Sequence, residues 1–146
     1  MPSLAGIPVG PTLPNSVRLT PHDHATLNPG QWLNDEVVNG FLAILEAHAS
    51  VWWGPNVVVM VSSFFYPRLI AAATEEAKAK IIRKYTSSFA DSDSLTKVII
   101  PLHLNANHWA LVIVNFTTST LTYLDSLNPP NTVTKSVESR LAPLES

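Results

Sequence analysis

A histidine and an aspartate lie at the same end of a predicted β-hairpin and give the strongest chemical signal in the sequence. In the segment 105–126, NANHWALVIVNFTTSTLTYLDS, His108 begins the first apolar run and Asp125 follows the second run, seventeen residues later. Two polar residues brought to one end of a sheet suggest part of an active site, with the imidazole as general base. Such a site also needs a nucleophile, and the sequence contains no cysteine.

The hairpin spacing alone does not bring these two residues together. If Phe116 lies opposite Thr120 across the TTS turn, Asp125 falls opposite Leu111, three residues from His108. That separation is ~10 Å along the strand, and the two side chains then lie on opposite faces of the sheet. A β-bulge, or a histidine placed before the strand, would restore the contact.

Length and composition indicate one globular domain, with 146 residues of which 46% are hydrophobic and 14% are charged. The net charge of −2 gives no electrostatic attraction to nucleic acid or to an anionic membrane, so neither is an expected partner. The apolar runs are too short to span a bilayer, and the N-terminus lacks the pattern of a signal peptide. The absence of cysteine excludes disulfides and zinc–thiolate sites within these residues, and favours an intracellular protein.

The chain has one clear boundary near its N-terminus. Residues 1–21 hold five of the twelve prolines. We therefore expect residues 1–16 to form a poorly ordered, proline-rich segment and residues 17–146 to form the folded part. His22 and His24 could bind a metal from one strand face, but no third ligand follows at a metal-binding spacing, so no metal or cofactor is expected.

Two helices are predicted from capping residues followed by helical periodicity. After the Pro29-Gly30 turn, Asn34 or Asp35 can cap a helix, which leaves Trp32 just before the helix start. A second helix begins at Thr74. The apolar face of the first helix comprises Val37, Val38, Phe41, Leu42 and Leu45, and that of the second Ala77, Ile81, Ile82 and Tyr85.

Four strands and a final helix are predicted from the remaining apolar runs. The strands are Val57–Val61, Val98–Leu104, Ala110–Phe116 and Thr120–Leu124, and the helix begins at Thr134 with Val137, Leu141 and Leu144 on one face. Pro101 indicates an edge strand or a bulge. The nearly continuous apolar run at 110–116 indicates a strand that is covered on both faces.

Three motifs together carry a family resemblance. GQWLNDEVVNGFL, SSFFYPRL and IIPLHLNANHWALVIVNFTTSTLTYLDSL occur in the order and spacing of the ubiquitin-like-protein-specific cysteine proteases, and the chain most resembles their SUMO-processing branch. The resemblance covers about residues 17–140. It implies an α+β fold of the papain-like superfamily, with a central antiparallel or mixed sheet and flanking helices. It also implies a Cys-His-Asp triad, an oxyanion-hole glutamine, and cleavage after the terminal Gly-Gly of a ubiquitin-like modifier.

Residue by residue, the resemblance makes His108 the general base and Asp125 the acid that orients its imidazole. It implies a hydrogen-bonding distance of ~2.6–3.2 Å between the two side chains. Trp32 and Trp109 match the aromatic residues that roof a narrow tunnel over the diglycine, and such a tunnel rejects ordinary side chains. Asp35 matches a position near the substrate-facing surface, and a plain helix-start role for it is equally compatible with the sequence.

The segment that carries the family's glutamine and nucleophilic cysteine is absent from the 146 residues, because it lies beyond the helix predicted from Thr134. Three explanations are ranked in this order: a truncated sequence, a split protein completed by a second chain, and a non-catalytic remnant. The alternative function is a module that binds a ubiquitin-like tail through Trp32 and Trp109 without cutting it. We expect no peptidase activity from this chain alone, and an apolar surface where the missing C-terminal segment would pack. The resemblance implies SUMO or a related modifier as partner, and the nucleus or cytoplasm as location.

Overall fold

The computed structural model describes residues 18–127 and the backbone of residues 132–136. Helices and strands follow one another in the order α1 (Pro21–Ala25), α2 (Asp35–Trp53), β1 (Val58–Met60), α3 (Phe65–Ala71), α4 (Glu75–Thr86), β2 (Lys97–Leu104), β3 (His108–Asn115), β4 (Thr120–Leu124) and β5 (Thr132–Ser136). The predicted proline-rich segment 1–16 lies outside the described residues.

The five strands form one mixed sheet in the order β1-β2-β3-β4-β5. β1 and β2 are parallel, whereas each later neighbour pair is antiparallel. A parallel pair needs a long crossover connection, and α3 and α4 provide it between β1 and β2. A mixed sheet with flanking helices confirms the expected α+β class.

The two long helices begin where their capping residues predict. The Asn34 side chain accepts a hydrogen bond from the Val37 backbone N–H at 3.0 Å, at the start of α2. The Thr74 hydroxyl accepts one from the Ala77 N–H at 3.1 Å, at the start of α4. Each cap satisfies a backbone donor that the first helical turn leaves without a partner.

The sheet has two unlike faces. On one of them, which we call the covered face, β1 and β2 pack against α3, α4 and the loop after α4. Its buried core consists of Val59, Val61, Phe65, Phe89 and Val98, with Leu69, Ile81 and Tyr85 packed against them. The other, which we call the open face, carries the alternate residues Ile99, Pro101, Trp109 and Leu111, and these line a groove beside α2.

Pro101 lies in an interior strand rather than an edge strand. β2 runs between β1 and β3, and Pro101 pairs with Leu111 of β3. The last pair between β1 and β2 joins Met60 to Ile99, so β1 has ended before the chain reaches Pro101. The missing N–H of the proline is tolerated because its strand needs a partner on one side only at this point.

The helix predicted from Thr134 is wrong at its start, because Thr132–Ser136 form strand β5, paired antiparallel with β4. Three successive β-branched residues in TVTKS favour a strand, and the edge of β4 offers it a partner. Val137, Leu141 and Leu144 lie outside the described residues. Among the helices that the structure describes, none is long and apolar enough to cross a membrane.

Candidate active site

His108 and Asp125 meet in a direct side-chain contact. His108 Nε2 lies 2.8 Å from Asp125 Oδ1, which confirms the distance expected from the sequence. The two side chains are only 15% and 3% exposed. A contact this short between largely buried groups holds the imidazole plane in one orientation, because little water is present to compete for the carboxylate.

The strand register explains why this contact forms without a bulge. Asn115 pairs with Thr120, one residue away from the register assumed in the sequence analysis, and the pairing continues to Leu111 opposite Leu124. One further step places Asp125 at the level of Ala110, whose side chain points to the same face as that of His108. A shift of one residue moves every side chain to the other face, so the expected mismatch disappears.

Asp125 is held by three donors. Its Oδ2 accepts a hydrogen bond from the Tyr123 hydroxyl at 2.8 Å, and its Oδ1 accepts one from the Leu127 N–H at 2.9 Å besides contacting His108. The hydrogen bond to Asp125, followed by desolvation and the nearby negative charge, raises the pKa of Tyr123 above its usual value of 10.0. The carboxylate therefore has fixed partners on both oxygens, as an orienting acid requires.

His108 stands at the tip of the β2–β3 hairpin. It pairs with Leu104, and the three residues between them include Asn105 and Ala106, both with positive φ angles of 51° and 60°. This tight turn fixes the first residue of β3 directly at the end of the sheet. With Nε2 facing Asp125, Nδ1 is the ring nitrogen that can receive a proton from a nucleophile.

The structure ties Trp109 to the segment that carries Trp32. The Trp109 indole Nε1–H donates to the backbone carbonyl of Leu33 at 3.0 Å. Trp32 is 64% exposed and Trp109 is half-buried, so neither indole is a core residue. Both aromatic side chains are therefore available at the surface on the His108 end of the sheet.

The Trp32–Leu33 segment is itself anchored by Asp23 of α1. Asn34, the cap of α2, donates from Nδ2 to Asp23 Oδ1 at 2.8 Å. Hydrogen bonds from the backbone and side chain of Thr20, then from Asn34, lower the pKa of Asp23 below its usual value. The buried carboxylate stays ionised near neutral pH and links the capping box of α1 to the start of α2.

Asp35 lies at the first helical position of α2, and its side chain is partly buried. Its Oδ1 accepts a hydrogen bond from the Ser63 hydroxyl at 3.1 Å and lies 3.9 Å from His103 Nδ1. The His103 ring in turn stacks on Trp109, with ring centroids 4.2 Å apart and planes inclined by 6°. No sequence motif marks His103, and its place opposite Trp109 follows from the pairing of β2 with β3.

An open groove of about 790 Å³ runs along the open face beneath α2 and ends at Trp109 and Asp125. Apart from Asp125 and Ser126, every residue that lines it is apolar or aromatic. Phe41 of α2 faces it and remains 60% exposed. An apolar surface of the expected kind therefore lies directly beside the His108–Asp125 pair.

His22 and His24 lie in helix α1 rather than on a strand. Within the described part of the chain, no group of three or more histidine, aspartate or glutamate side chains could hold a metal ion.

These elements define an α+β domain of the papain-like type, with a histidine–aspartate pair at the end of its central sheet. Residues 31–146 match the family model described as "Ulp1 protease family, C-terminal catalytic domain", and the chain belongs to this family. The family's members are SUMO-specific and ubiquitin-like-specific cysteine proteases.

The relatives share about a third of the aligned residues. The chain is 35% identical over 118 residues to Ubiquitin-like-specific protease 1 of Saccharomyces cerevisiae, and the match covers 80% of this chain and 17% of that protein. It is 30% identical over 113 residues to human Sentrin-specific protease 2, covering 76% of this chain and 18% of that protein. The chain therefore spans about a fifth of the length of the curated relatives that it matches.

Solved structures show the same relation at the level of the fold. The C-terminal Ulp1 protease domain in complex with Smt3, the yeast ortholog of SUMO, superimposes with a TM-score of 0.64 at 28% identity. That match covers 82% of this chain and 49% of the solved chain. Another neighbour is the SUMO protease Ulp1 with its catalytic cysteine oxidised to a sulfonic acid, at a TM-score of 0.61. The sequence of 146 residues contains no cysteine, so it lacks that nucleophile.

Proposed function

We propose that this chain is the base-and-acid half of a cysteine peptidase domain that cleaves SUMO-like modifiers after a C-terminal Gly-Gly. The observation that carries the proposal is the 2.8 Å contact between His108 Nε2 and the buried Asp125 carboxylate, at the end of an open apolar groove. The solved complex of a family member with Smt3 supports a SUMO-like substrate. The family and the half-length match support a thiol nucleophile supplied from outside these residues.

In the proposed reaction His108 moves one proton in each direction. Its Nδ1 accepts the proton of the thiol, which becomes a thiolate and attacks the carbonyl carbon of the terminal glycine. Asp125 stabilises the resulting imidazolium through Nε2, and Tyr123 and Leu127 hold the carboxylate in place. The imidazolium then returns the proton to the departing amine as the C–N bond breaks, and water later hydrolyses the thioester.

We assign substrate binding to Trp32, Trp109 and Asp35. The two indoles lie at the surface on the His108 end of the sheet, and the hydrogen bond from Trp109 to Leu33 links their segments. Flat rings on either side of a channel leave room for two glycines and exclude residues with a Cβ atom. Asp35 keeps part of its carboxylate exposed at the same end of α2 and can contact a donor on the modifier.

We propose that the segment with the nucleophilic cysteine packs in the groove on the open face. This segment would belong either to the same polypeptide or to a second chain. The apolar lining of the groove calls for an apolar partner, and its end at Asp125 and Trp109 places that partner beside the proposed base. The solved domain that this chain matches is about twice as long as the matched part, so enough chain exists in a relative to fill it. A nuclear or cytoplasmic location follows from the same proposal, because SUMO-like conjugates form there.

The test joins this chain to the cysteine-bearing C-terminal half of the yeast Ulp1 domain and measures hydrolysis of a fluorogenic SUMO C-terminal amide. We expect no turnover by the 146-residue chain alone and measurable turnover by the fusion. In the fusion, His108→Gln should lower kcat/KM by ~10³-fold or more, because the thiol loses its base. The matched control is His24→Gln, an exposed histidine of α1, which should leave activity unchanged.

Two outcomes would overturn the proposal. Turnover by the isolated chain would require a nucleophile other than cysteine. A folded fusion whose activity survives His108→Gln would show that this histidine is not the base. Circular dichroism of each variant separates loss of chemistry from loss of fold.

A non-cutting binding module is the second candidate, favoured by the exposed Trp32 and the absence of cysteine. It predicts that the isolated chain binds a SUMO protein ending in Gly-Gly more tightly than one ending in Ala-Ala. Trp32→Ala should weaken that binding without unfolding the domain. Tail-specific binding together with an inactive, folded fusion would favour this candidate over the peptidase half.

A further inference from the structure

A stacked histidine–tryptophan pair lies beside the His108–Asp125 contact and takes no part in its proton transfer. We propose that His103 is a positioning residue, which holds the Trp109 indole in place and is itself oriented by Asp35. The inference rests on the proposed function in one respect, the role of Trp109 at the substrate channel.

The stack follows from strand pairing. His103 of β2 and Trp109 of β3 are directly opposite each other, so their side chains leave the sheet on the same face. Their rings lie 4.2 Å apart between centroids and only 6° from parallel. A free indole can rotate broadly about its second side-chain torsion, and a flat partner at this distance confines it to one plane.

A second restraint fixes the rotation of the indole within that plane. The Trp109 Nε1–H donates to the Leu33 carbonyl at 3.0 Å, from the edge of the ring rather than its face. The stack and the hydrogen bond act in different directions, so together they define the ring position. If His103 is removed, the stacking restraint is lost and the ring can tilt about the hydrogen bond to Leu33.

Asp35 connects the imidazole to a rigid part of the fold. Its Oδ1 lies 3.9 Å from His103 Nδ1 and accepts a hydrogen bond from Ser63 at 3.1 Å. Ser63 is fully buried, and its backbone N–H donates to Asn39 of α2 at 2.8 Å. The carboxylate is therefore held from the protein interior and presents one oxygen toward the histidine ring.

The consequence concerns substrate binding rather than proton transfer. The His103–Trp109 pair immediately precedes the Leu104–His108 pair along the hairpin, so the indole stands one step from the proposed base. An indole that is already in place loses less conformational freedom when a tail binds. His103 thereby raises affinity for the tail without touching the reacting atoms.

The test uses the full 146-residue chain and three variants at one position or its partner. In ¹H–¹⁵N spectra the indole signal of Trp109, identified by its loss in Trp109→Phe, should shift and exchange faster with solvent in His103→Gln. His103→Phe keeps a flat ring and should restore both the signal and its protection. Binding of a SUMO protein ending in Gly-Gly should weaken about threefold to tenfold in His103→Gln and recover in His103→Phe.

The outcomes separate this inference from the proposed function. If Trp109→Ala abolishes tail binding while His103→Gln changes neither the indole signal nor the affinity, the inference is wrong and the proposed function stands. If Trp109→Ala binds the tail as tightly as the wild type, the substrate role of Trp109 is wrong and the inference falls with it. Circular dichroism shows whether each variant is folded, and His24→Gln serves as the unaffected control.

Discussion

The covered and open faces of the sheet both carry apolar residues, but they differ in how far these residues are buried. On the covered face Phe65 is 8% exposed, between the strands and α4. Beside the open face Phe41 is 60% exposed, although it belongs to a long helix with a predicted apolar stripe. An apolar side chain is buried only if another element covers it, so sequence pattern identifies the faces and not their partners.

The two faces also divide the functional residues. The side chain of His108 leaves β3 on the covered face, and Asp125 meets it at the end of the sheet, where the groove also ends. Both side chains are largely buried, whereas His103 and Trp109 belong to the open face. The proposed base and acid are therefore assembled by contacts within this chain. The proposed nucleophile, in contrast, depends on what occupies the open groove. This division explains how a chain without a thiol keeps a complete histidine–aspartate contact.

The largest expected effect contrasts one phenylalanine from each face. Phe65→Ala removes a buried ring that packs edge-on against Tyr85 at 5.4 Å between centroids. We expect it to lower the free energy of unfolding by ~3–5 kcal/mol, because it leaves a cavity in the core. Phe41→Ala should lower that free energy by only ~1 kcal/mol or less in the isolated chain, because most of its side chain is already exposed to water. Urea denaturation of both variants measures the difference.

A partner in the groove should reverse that contrast in part. In the fusion with the yeast C-terminal half, Phe41→Ala should become clearly destabilising, because the ring is then covered. If Phe41→Ala is as costly in the isolated chain as Phe65→Ala, the open face is already covered in solution and the comparison of the two faces fails.

The next expected effect tests whether the hydrogen bond from Tyr123 holds the Asp125 carboxylate in solution. The pKa of Tyr123 is raised above 10.0, chiefly by its hydrogen bond to Asp125. A raised pKa in the folded state contributes stability that is complete below pH 10 and is lost as the pH rises through the raised value. The wild type should therefore lose thermal stability as the pH rises above 10, whereas Tyr123→Phe should start lower and lose less over the same change in pH.

Tyr85→Phe is the matched control for this prediction. The Tyr85 hydroxyl has the Arg68 guanidinium as its partner, which donates a hydrogen bond to it at 2.9 Å. Its removal should leave the alkaline loss of stability in place. Equal alkaline profiles for the wild type and Tyr123→Phe would show that the Tyr123–Asp125 contact is not formed in solution.

The sequence predicted the helices and strands better than it predicted how they pair and pack. The caps at Asn34 and Thr74 locate α2 and α4 because they are local signals, complete within one helical turn. The strand at Thr132–Ser136 was missed because apolar spacing beyond it favoured a helix, while the unpaired edge of β4 was not visible in the sequence. The run at 110–116 predicted cover on both faces, but one of its faces borders the open groove.

The candidate site shows the same division between local and distant information. His108 and Asp125 could be identified from motifs, whereas their contact depends on a four-residue loop that shifts the register by one. His103 carries no motif, and its place in the site comes from the residue across the strand and from Asp35 on a distant helix. A role that depends on strand pairing can be identified only when the register of the strands is known.

The smallest expected effect concerns the turn where the residues of the two faces meet. Ala106 has a φ of 60°, in the left-handed region, between the strands that carry His103 and His108. That conformation costs an alanine ~1–2 kcal/mol, and glycine avoids most of the cost while losing ~0.5–1 kcal/mol to backbone entropy. We therefore expect Ala106→Gly to stabilise the chain by ~0.5 kcal/mol.

The matched control, Ala79→Gly on the exposed side of α4, should instead destabilise it by ~1 kcal/mol. Urea denaturation resolves the two signs, and a loss of stability in Ala106→Gly comparable to that in Ala79→Gly would show that this turn does not hold its left-handed conformation. In that case the β2–β3 turn would not fix the His103–Trp109 pair relative to His108. The indole N–H of Trp109 should then exchange with solvent as fast in the wild type as in His103→Gln.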